Sequence, residues 1–109
     1  MYPNGYIRCM VTVQATEAFD KWMRRLRDTR ARAVIAERIQ RMAQGLPVDI
    51  KPIGSGVSEL RIHHGPGYRV YFTRRGRQII ILLCAGDKDS QAPDILQAQK
   101  MAAQFPRGT

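Results

Sequence analysis

The spacing of apolar positions switches between the helical and the extended period along the chain, and the switches mark its elements. Residues Ile7 to Gln14 read as a first strand. Thr16 then offers a hydroxyl cap, and Glu17 and Asp20 place negative charge where the start of a helix favours it. Phe19, Trp22, Met23 and Leu26 share one helical face, with Arg24, Arg25 and Arg27 largely outside it. Asp28-Thr29 breaks the pattern. A second helix is predicted from about Arg30 to Gln44, burying Ala31, Ile35, Ile39 and Met42 and stopped by Gly45 and Pro47. Pro47 to Gly56 reads as a loop, punctuated by Pro52, Gly54 and Gly56. Strands are predicted at Val57 to His63, Tyr68 to Arg74 and Arg77 to Cys84. After Gly86 the helical period returns, with Ser90 as cap, Pro93 in the first turn, and Ile95, Ala98, Ala102 and Phe105 on one face. The order β-α-α-β-β-β-α predicts an α+β fold: a small, mostly antiparallel four-stranded sheet with a helical hairpin on one face. Residues 1–109 are expected to form a single domain with its core at about 7–105, ending in a fraying tail.

Strand alternation sharpens the picture. Leu60 and Ile62 point to one side, so Glu59, Arg61 and His63 point to the other. Tyr68, Val70 and Phe72 likewise oppose Arg69, Tyr71 and Thr73. A common apolar face requires an odd number of loop residues in His64-Gly65-Pro66-Gly67. A loop of Gly65 to Gly67 pairs Arg61 with Tyr71; a loop of His64 to Pro66 sets Arg61 directly opposite Arg69. Either register puts both guanidiniums on one side of adjacent strands, where like charges repel unless Glu59 or an incoming anion neutralises them. That face is the candidate binding site. A two-residue turn at Arg75-Gly76 would pair Phe72 with Ile79 and Val70 with Ile81 on the core side. Ile80, Leu82 and Cys84 would then share the side of Arg69 and Tyr71, covered by the last helix.

Charge adds a partner class. The 109 residues carry 18 Lys+Arg against 9 Asp+Glu, a formal net charge of +9, which favours a polyanionic partner. Cys9 and Cys84 are too few and too far apart for a disulfide framework or metal knuckle, and both read as small buried hydrophobes in a reduced, cytoplasmic protein. The N-terminus lacks the pattern of a signal peptide, and no apolar run is long enough to cross a bilayer. No HExxH, CxxC or acidic cluster suggests a metal site.

The runs Gly56-Val57-Ser58-Glu59-Leu60-Arg61-Ile62 and Gly65-Pro66-Gly67-Tyr68-Arg69-Val70-Tyr71-Phe72 resemble the RelE/ParE superfamily of bacterial toxins. Leu82 to Lys88, Asp94 to Ala98 and Phe19-Asp20-Lys21-Trp22 are similar to its HigB-like branch, the addiction-module killer proteins. The resemblance covers roughly residues 7 to 103. It implies the toxin of a type II toxin–antitoxin system, a ribosome-associated endoribonuclease that cleaves messenger RNA without metal or cofactor and so inhibits translation. It implies Arg69 as the clamp on the scissile phosphate, Arg61 as a basic neighbour and Lys88 as the group assisting the leaving oxygen. Lys51, His63 and Tyr71 are the expected RNA contacts. Many relatives keep a tyrosine or histidine near the C-terminal end; residues 88 to 105 contain neither, and Tyr71, His63 and His64 are the hairpin groups placed to substitute. The partner implied is an antitoxin bearing a helix-turn-helix, through which alone DNA would be contacted. The alternatives are a non-catalytic ParE-like toxin acting on DNA gyrase, and a binding module that keeps only its antitoxin contact. No membrane partner is expected.

Overall fold

The computed structural model describes residues 11–105, and the first half of the predicted opening strand, with Cys9, lies outside them. The elements are β1 (Thr12–Ala15), α1 (Glu17–Arg25), α2 (Thr29–Ala43), β2 (Ile50–Gly54), β3 (Val57–Ile62), β4 (Tyr68–Arg75), β5 (Ile79–Asp87), a 3-10 turn (Lys88–Ser90) and α3 (Gln91–Ala102). They build an α+β fold on one five-stranded, mostly antiparallel sheet of order β1-β5-β4-β3-β2, in which β1 runs parallel to β5. Four strands were expected; the extra one is β2, hidden in the stretch read as loop. Pro52 is tolerated there because β2 is an edge strand and its missing N–H breaks no interior ladder bond. Ser55 and Gly56, both at positive φ, turn the chain tightly into β3.

The helical hairpin covers one face of the sheet. Thr16 caps α1 by accepting from the Phe19 amide, and Asp28 caps α2 by accepting from Arg30 and Ala31, so the break at Asp28-Thr29 is a cap. Phe19, Ala31, Ile35 and Met42 are buried against Leu60, Ile62, Tyr68, Val70, Phe72, Ile80 and Leu82, with Trp22, Met23, Leu26 and Ile39 packed around them. The opposite face is covered by α3, whose Ala98 is buried against Val57, Tyr71, Ile81, Leu83 and Cys84, flanked by Ile95, Ala102 and Phe105. Gln99 ties α3 to β2 by donating to the Ile53 carbonyl at 2.9 Å.

The β4–β5 pairing corrects the sequence reading in two ways. Arg75 pairs with Ile79, so the turn is Gly76-Arg77-Gln78, opened by a glycine at φ 63°, and not the two-residue Arg75-Gly76. Phe72 pairs with Leu82 and Val70 with Ala85, in place of Ile79 and Ile81. The register also slips between Tyr71, opposite Cys84, and Phe72, opposite Leu82, which leaves Leu83 as the extra residue of a bulge. Ile80 and Leu82 therefore face the helical hairpin, while consecutive Leu83 and Cys84 both face α3. Thr16 satisfies the bulge: its amide donates to the Leu82 carbonyl at 3.0 Å and its hydroxyl to the Leu83 carbonyl at 2.6 Å.

Beyond β5, Asp87 caps the 3-10 turn through the Asp89 and Ser90 amides. Ser90, the expected cap of α3, makes no capping bond; its hydroxyl donates to Asp94 at 2.5 Å. Among the described residues no helix is long and apolar enough to cross a membrane.

Candidate functional site

The β3–β4 hairpin adopts the register in which Arg61 stands directly opposite Arg69, and Ile62 opposite Tyr68. Extending that row across the sheet, the Arg61 amide donates to the Asp49 carbonyl at 2.8 Å, and Arg69 pairs with Gly86 on β5. Asp49, Arg61, Arg69 and Gly86 thus form one line across the α3 face. The adjacent line is Lys51, Glu59, Tyr71 and Cys84. α3 covers Glu59, Tyr71 and Cys84 of the second line and Gly86 of the first, and leaves Lys51 exposed and the two arginines partly exposed.

Two carboxylates relieve the repulsion between the paired arginines. Glu59, fully buried, sits diagonally from Arg69, with its Oε2 at 3.5 Å from Arg69 Nε. Gln91 of α3 donates to the same oxygen at 3.0 Å. Asp49 Oδ2 lies 3.7 Å from Arg61 Nε. Neither approach is a hydrogen bond: both Nε atoms are without a hydrogen-bond partner, as is Glu59 Oε1. Each carboxylate meets its guanidinium through Nε and not in a bidentate fork. The sequence reading offered Glu59 as the neutraliser of the pair. The structure gives Glu59 to Arg69 and supplies Asp49 for Arg61.

In front of these groups lies a cavity of about 330 Å³ whose wall holds Arg61, Arg69, Lys88, His63 and His64 and no carboxylate. Its floor is the tight turn through Gly65 and Gly67. Gly67 takes φ 85°, which favours glycine, and its Cβ position lies 3.8 Å from both Arg69 Nη1 and Lys88 Cβ, so the two cationic side chains flank this turn. Lys88 reaches the hairpin because of the β5 register. Arg69 would face Leu82 in the sequence-derived pairing but faces Gly86 here, four residues on. At about 3.3 Å per residue, that shift moves Lys88 roughly 13 Å towards the arginines.

Of the other expected contacts, His63 lines the cavity at its open rim, its side chain 69% exposed. Its Nε2 is 2.7 Å from Asp49 Oδ2. That hydrogen bond holds the Asp49 carboxyl below the ordinary aspartate range against the opposing effect of burial, aided by the Arg61, His63 and Arg69 charges. His64 also lines the cavity, with Nε2 at 4.0 Å from Asp28 Oδ2 on the helical-hairpin side. Lys51 is exposed on edge strand β2, on the same face but outside the cavity wall. Tyr71 does not meet the expectation of an RNA contact. It is fully buried beneath α3, outside the cavity wall, and burial together with the Glu59 and Asp94 charges pushes its hydroxyl far above the usual tyrosine range. Among the described residues no three His, Cys, Asp or Glu side chains group so as to hold a metal ion.

Asp49 and Gln91 were missed by sequence reasoning. Asp49 fell in the stretch read as loop, and only the presence of β2 brings it beside Arg61. Gln91 carries no signal in the sequence, since its role depends on where α3 crosses the sheet.

Residues 21–103, from α1 to the end of α3, match the model of the Gp49-like family of phage-derived proteins (DUF891). An uncharacterized protein of Haemophilus influenzae strain Rd is 43% identical over 95 residues, which cover 87% of this chain and 96% of its own length.

Proposed function

Since the chain belongs to the Gp49-like family of phage-derived proteins, we propose that it is the toxin of a toxin–antitoxin pair, related to the HigB-like branch of the RelE/ParE superfamily, and that it cleaves messenger RNA. The observation that carries this reading is the cavity wall of Arg61, Arg69 and Lys88, which contains no carboxylate. Such a wall fits a phosphodiester, whose non-bridging oxygens take charge-assisted hydrogen bonds from guanidinium nitrogens.

The chemistry follows from the substrate's own hydroxyl. The ribose O2′ attacks the adjacent phosphorus, the O2′–P bond forms, and the P–O5′ bond breaks. The products are a 2′,3′-cyclic phosphate and a 5′-hydroxyl end. The 2′-hydroxyl proton passes to a base, and O5′ gains a proton as it leaves. Negative charge grows on the phosphorane oxygens, and two fixed guanidiniums stabilise it more in the transition state than in the ground state. Lys88, which shares the surroundings of Gly67 with Arg69, is the group we assign to assist O5′. Lys51 extends the basic surface along the substrate. An antitoxin that silences such a site covers the cavity and meets its cations with carboxylates.

Lys88→Ala is the cleanest test, because Lys88 is exposed and its loss leaves the Glu59–Arg69 pair intact. Mapping RNA ends after brief induction should show new 5′ ends with the wild type. Removing one such electrostatic group is expected to slow cleavage about 100-fold or more, with unfolding unchanged. Undiminished cleavage by Lys88→Ala combined with Arg61→Ala would overturn the proposal. Growth arrest with continuing translation and a DNA-damage response would move the reading to the ParE-like alternative.

A further inference from the structure

We propose that His63 is the general base that takes the 2′-hydroxyl proton, and that Asp49 is the residue that positions it; this rests on the RNA-cleavage reading above. Cleavage needs a base at the cavity, and the described part of the C-terminal segment offers no tyrosine or histidine. The structure distinguishes the three hairpin candidates. Tyr71 is sealed under α3 and keeps its proton. His64 turns towards Asp28, whose other carboxylate oxygen is occupied in capping α2. At 4.0 Å that approach is too long for a hydrogen bond, so nothing fixes the tautomer of His64.

His63 differs on both counts. It lies just beyond the end of β3, and its contact with Asp49 Oδ2, the same oxygen that approaches Arg61, brings it to the side of the two guanidiniums. Its Nε2 lies 2.7 Å from Asp49 Oδ2. An ionised carboxylate only accepts, so Nε2 carries the hydrogen and Nδ1 of the neutral ring keeps its lone pair for a proton. Asp49 then acts on both partners of the reaction. The same Oδ2 approaches Arg61 Nε at 3.7 Å, coupling the base to one arm of the phosphate clamp. When Nδ1 takes the proton, the imidazolium is stabilised by Asp49 and opposed by Arg61, by Arg69 opposite it and by Lys88 across the cavity. His63 is therefore the catalytic residue, and Asp49 works through it.

Single-turnover cleavage of an RNA oligonucleotide by the full chain, with ribosomes present, over a range of pH tests the assignment. His63→Ala should slow cleavage about 100-fold, with little change in half-saturating RNA concentration. It should also abolish the decline in rate seen at low pH. Added imidazole should restore part of the rate, which a structural role for His63 does not predict. Asp49→Asn should keep the low-pH decline but move it to lower pH, because the imidazolium loses its carboxylate. A His63→Ala variant that cleaves at the wild-type rate or is unmoved by imidazole, or an Asp49→Asn variant with an unshifted profile, overturns the assignment while leaving the RNA-cleavage reading standing. Failure of the wild type to cleave any RNA defeats that reading, and the assignment with it.

Discussion

Replacing Arg69 by alanine removes the proposed phosphate clamp and also strips the ion-pair partner from a carboxylate with no access to water. Glu59 is 0% exposed, and its Oε2 lies 3.5 Å from Arg69 Nε, so the substitution leaves a buried charge without a cation, held by the Gln91 amide. Two unit charges at that separation attract by about 5 kcal/mol at an effective dielectric constant near 20. Breaking one side of a buried pair typically costs about 3–5 kcal/mol. For a chain of this size, with about 5–15 kcal/mol in total, that is a large share, and the melting point should fall by roughly 15 °C or more. A dead Arg69→Ala variant therefore says nothing about phosphate binding until the buried charge is dealt with. Glu59→Gln does so: the amide keeps its bond with Gln91 and carries no charge. The double variant Arg69→Ala/Glu59→Gln should recover most of the lost stability and remain unable to cleave RNA. Urea unfolding of the wild type, both single variants and the double variant gives the coupling directly, and cleavage on the same samples gives the function. A single-variant cost below about 1 kcal/mol, or a double variant as unstable as the sum of the singles, would refute the buried-pair reasoning. A double variant that still cleaves at the wild-type rate would remove Arg69 from the mechanism.

Gly86→Ala would put a methyl carbon 1.9 Å from Asp94 Oδ2 and 2.5 Å from Ser90 Oγ, and a cost of about 1–3 kcal/mol is expected by urea unfolding, much of it relieved when Asp94→Ala removes the carboxylate. The Asp49 carboxyl should titrate below the usual aspartate range by carbon-13 NMR and move upward in His63→Ala; since folding lowers its pKa, the stabilisation it gives is present above the unfolded value and lost as pH falls through the folded one. An unchanged midpoint would mean that the hydrogen bond does not form in solution. Burial, with help from Asp94, pushes the Cys84 thiol up to about 12, so in a Cys9→Ser background a disulfide reagent at pH 8 should react slowly with the native protein and quickly in urea. Rapid native labelling would mean that α3 does not stay on the sheet.

What the sequence disclosed depended on how local the information was. The helices were legible because each carries its own period and its own stop: Phe19 and Trp22 on one stripe, Ala31 and Ile35 on the next, Gly45 after the second. The β3–β4 hairpin was narrowed to two registers by alternation alone, and the observed one is the register that faces Arg61 with Arg69. The β4–β5 register was not legible. A run of six apolar residues, Ile79 to Cys84, fits either face equally well, and only tertiary contacts select the bulge at Leu83. β2 was hidden by Pro52 and the glycines that follow it, whose turn-forming habit outweighed the two strand-forming residues Ile50 and Ile53 on an edge that needs no continuous ladder. Missing β2 meant missing Asp49, and so the carboxylate that links His63 to Arg61.

The parallel pairing of β1 with β5 has a consequence for how the molecule comes into being. Thr12 finds its partner at Ile79, and Thr16 docks on the carbonyls of Leu82 and Leu83. The earliest described strand to be synthesised thus waits for the last, and Lys88, which completes the cavity wall, follows directly after that strand. A nascent chain holds both arginines before it holds an assembled sheet, so the cavity wall is complete only once β5 and Lys88 have been made. Such distant pairings close late and slowly. That interval gives any protein made alongside it an opportunity to engage the surface before the surface engages anything else.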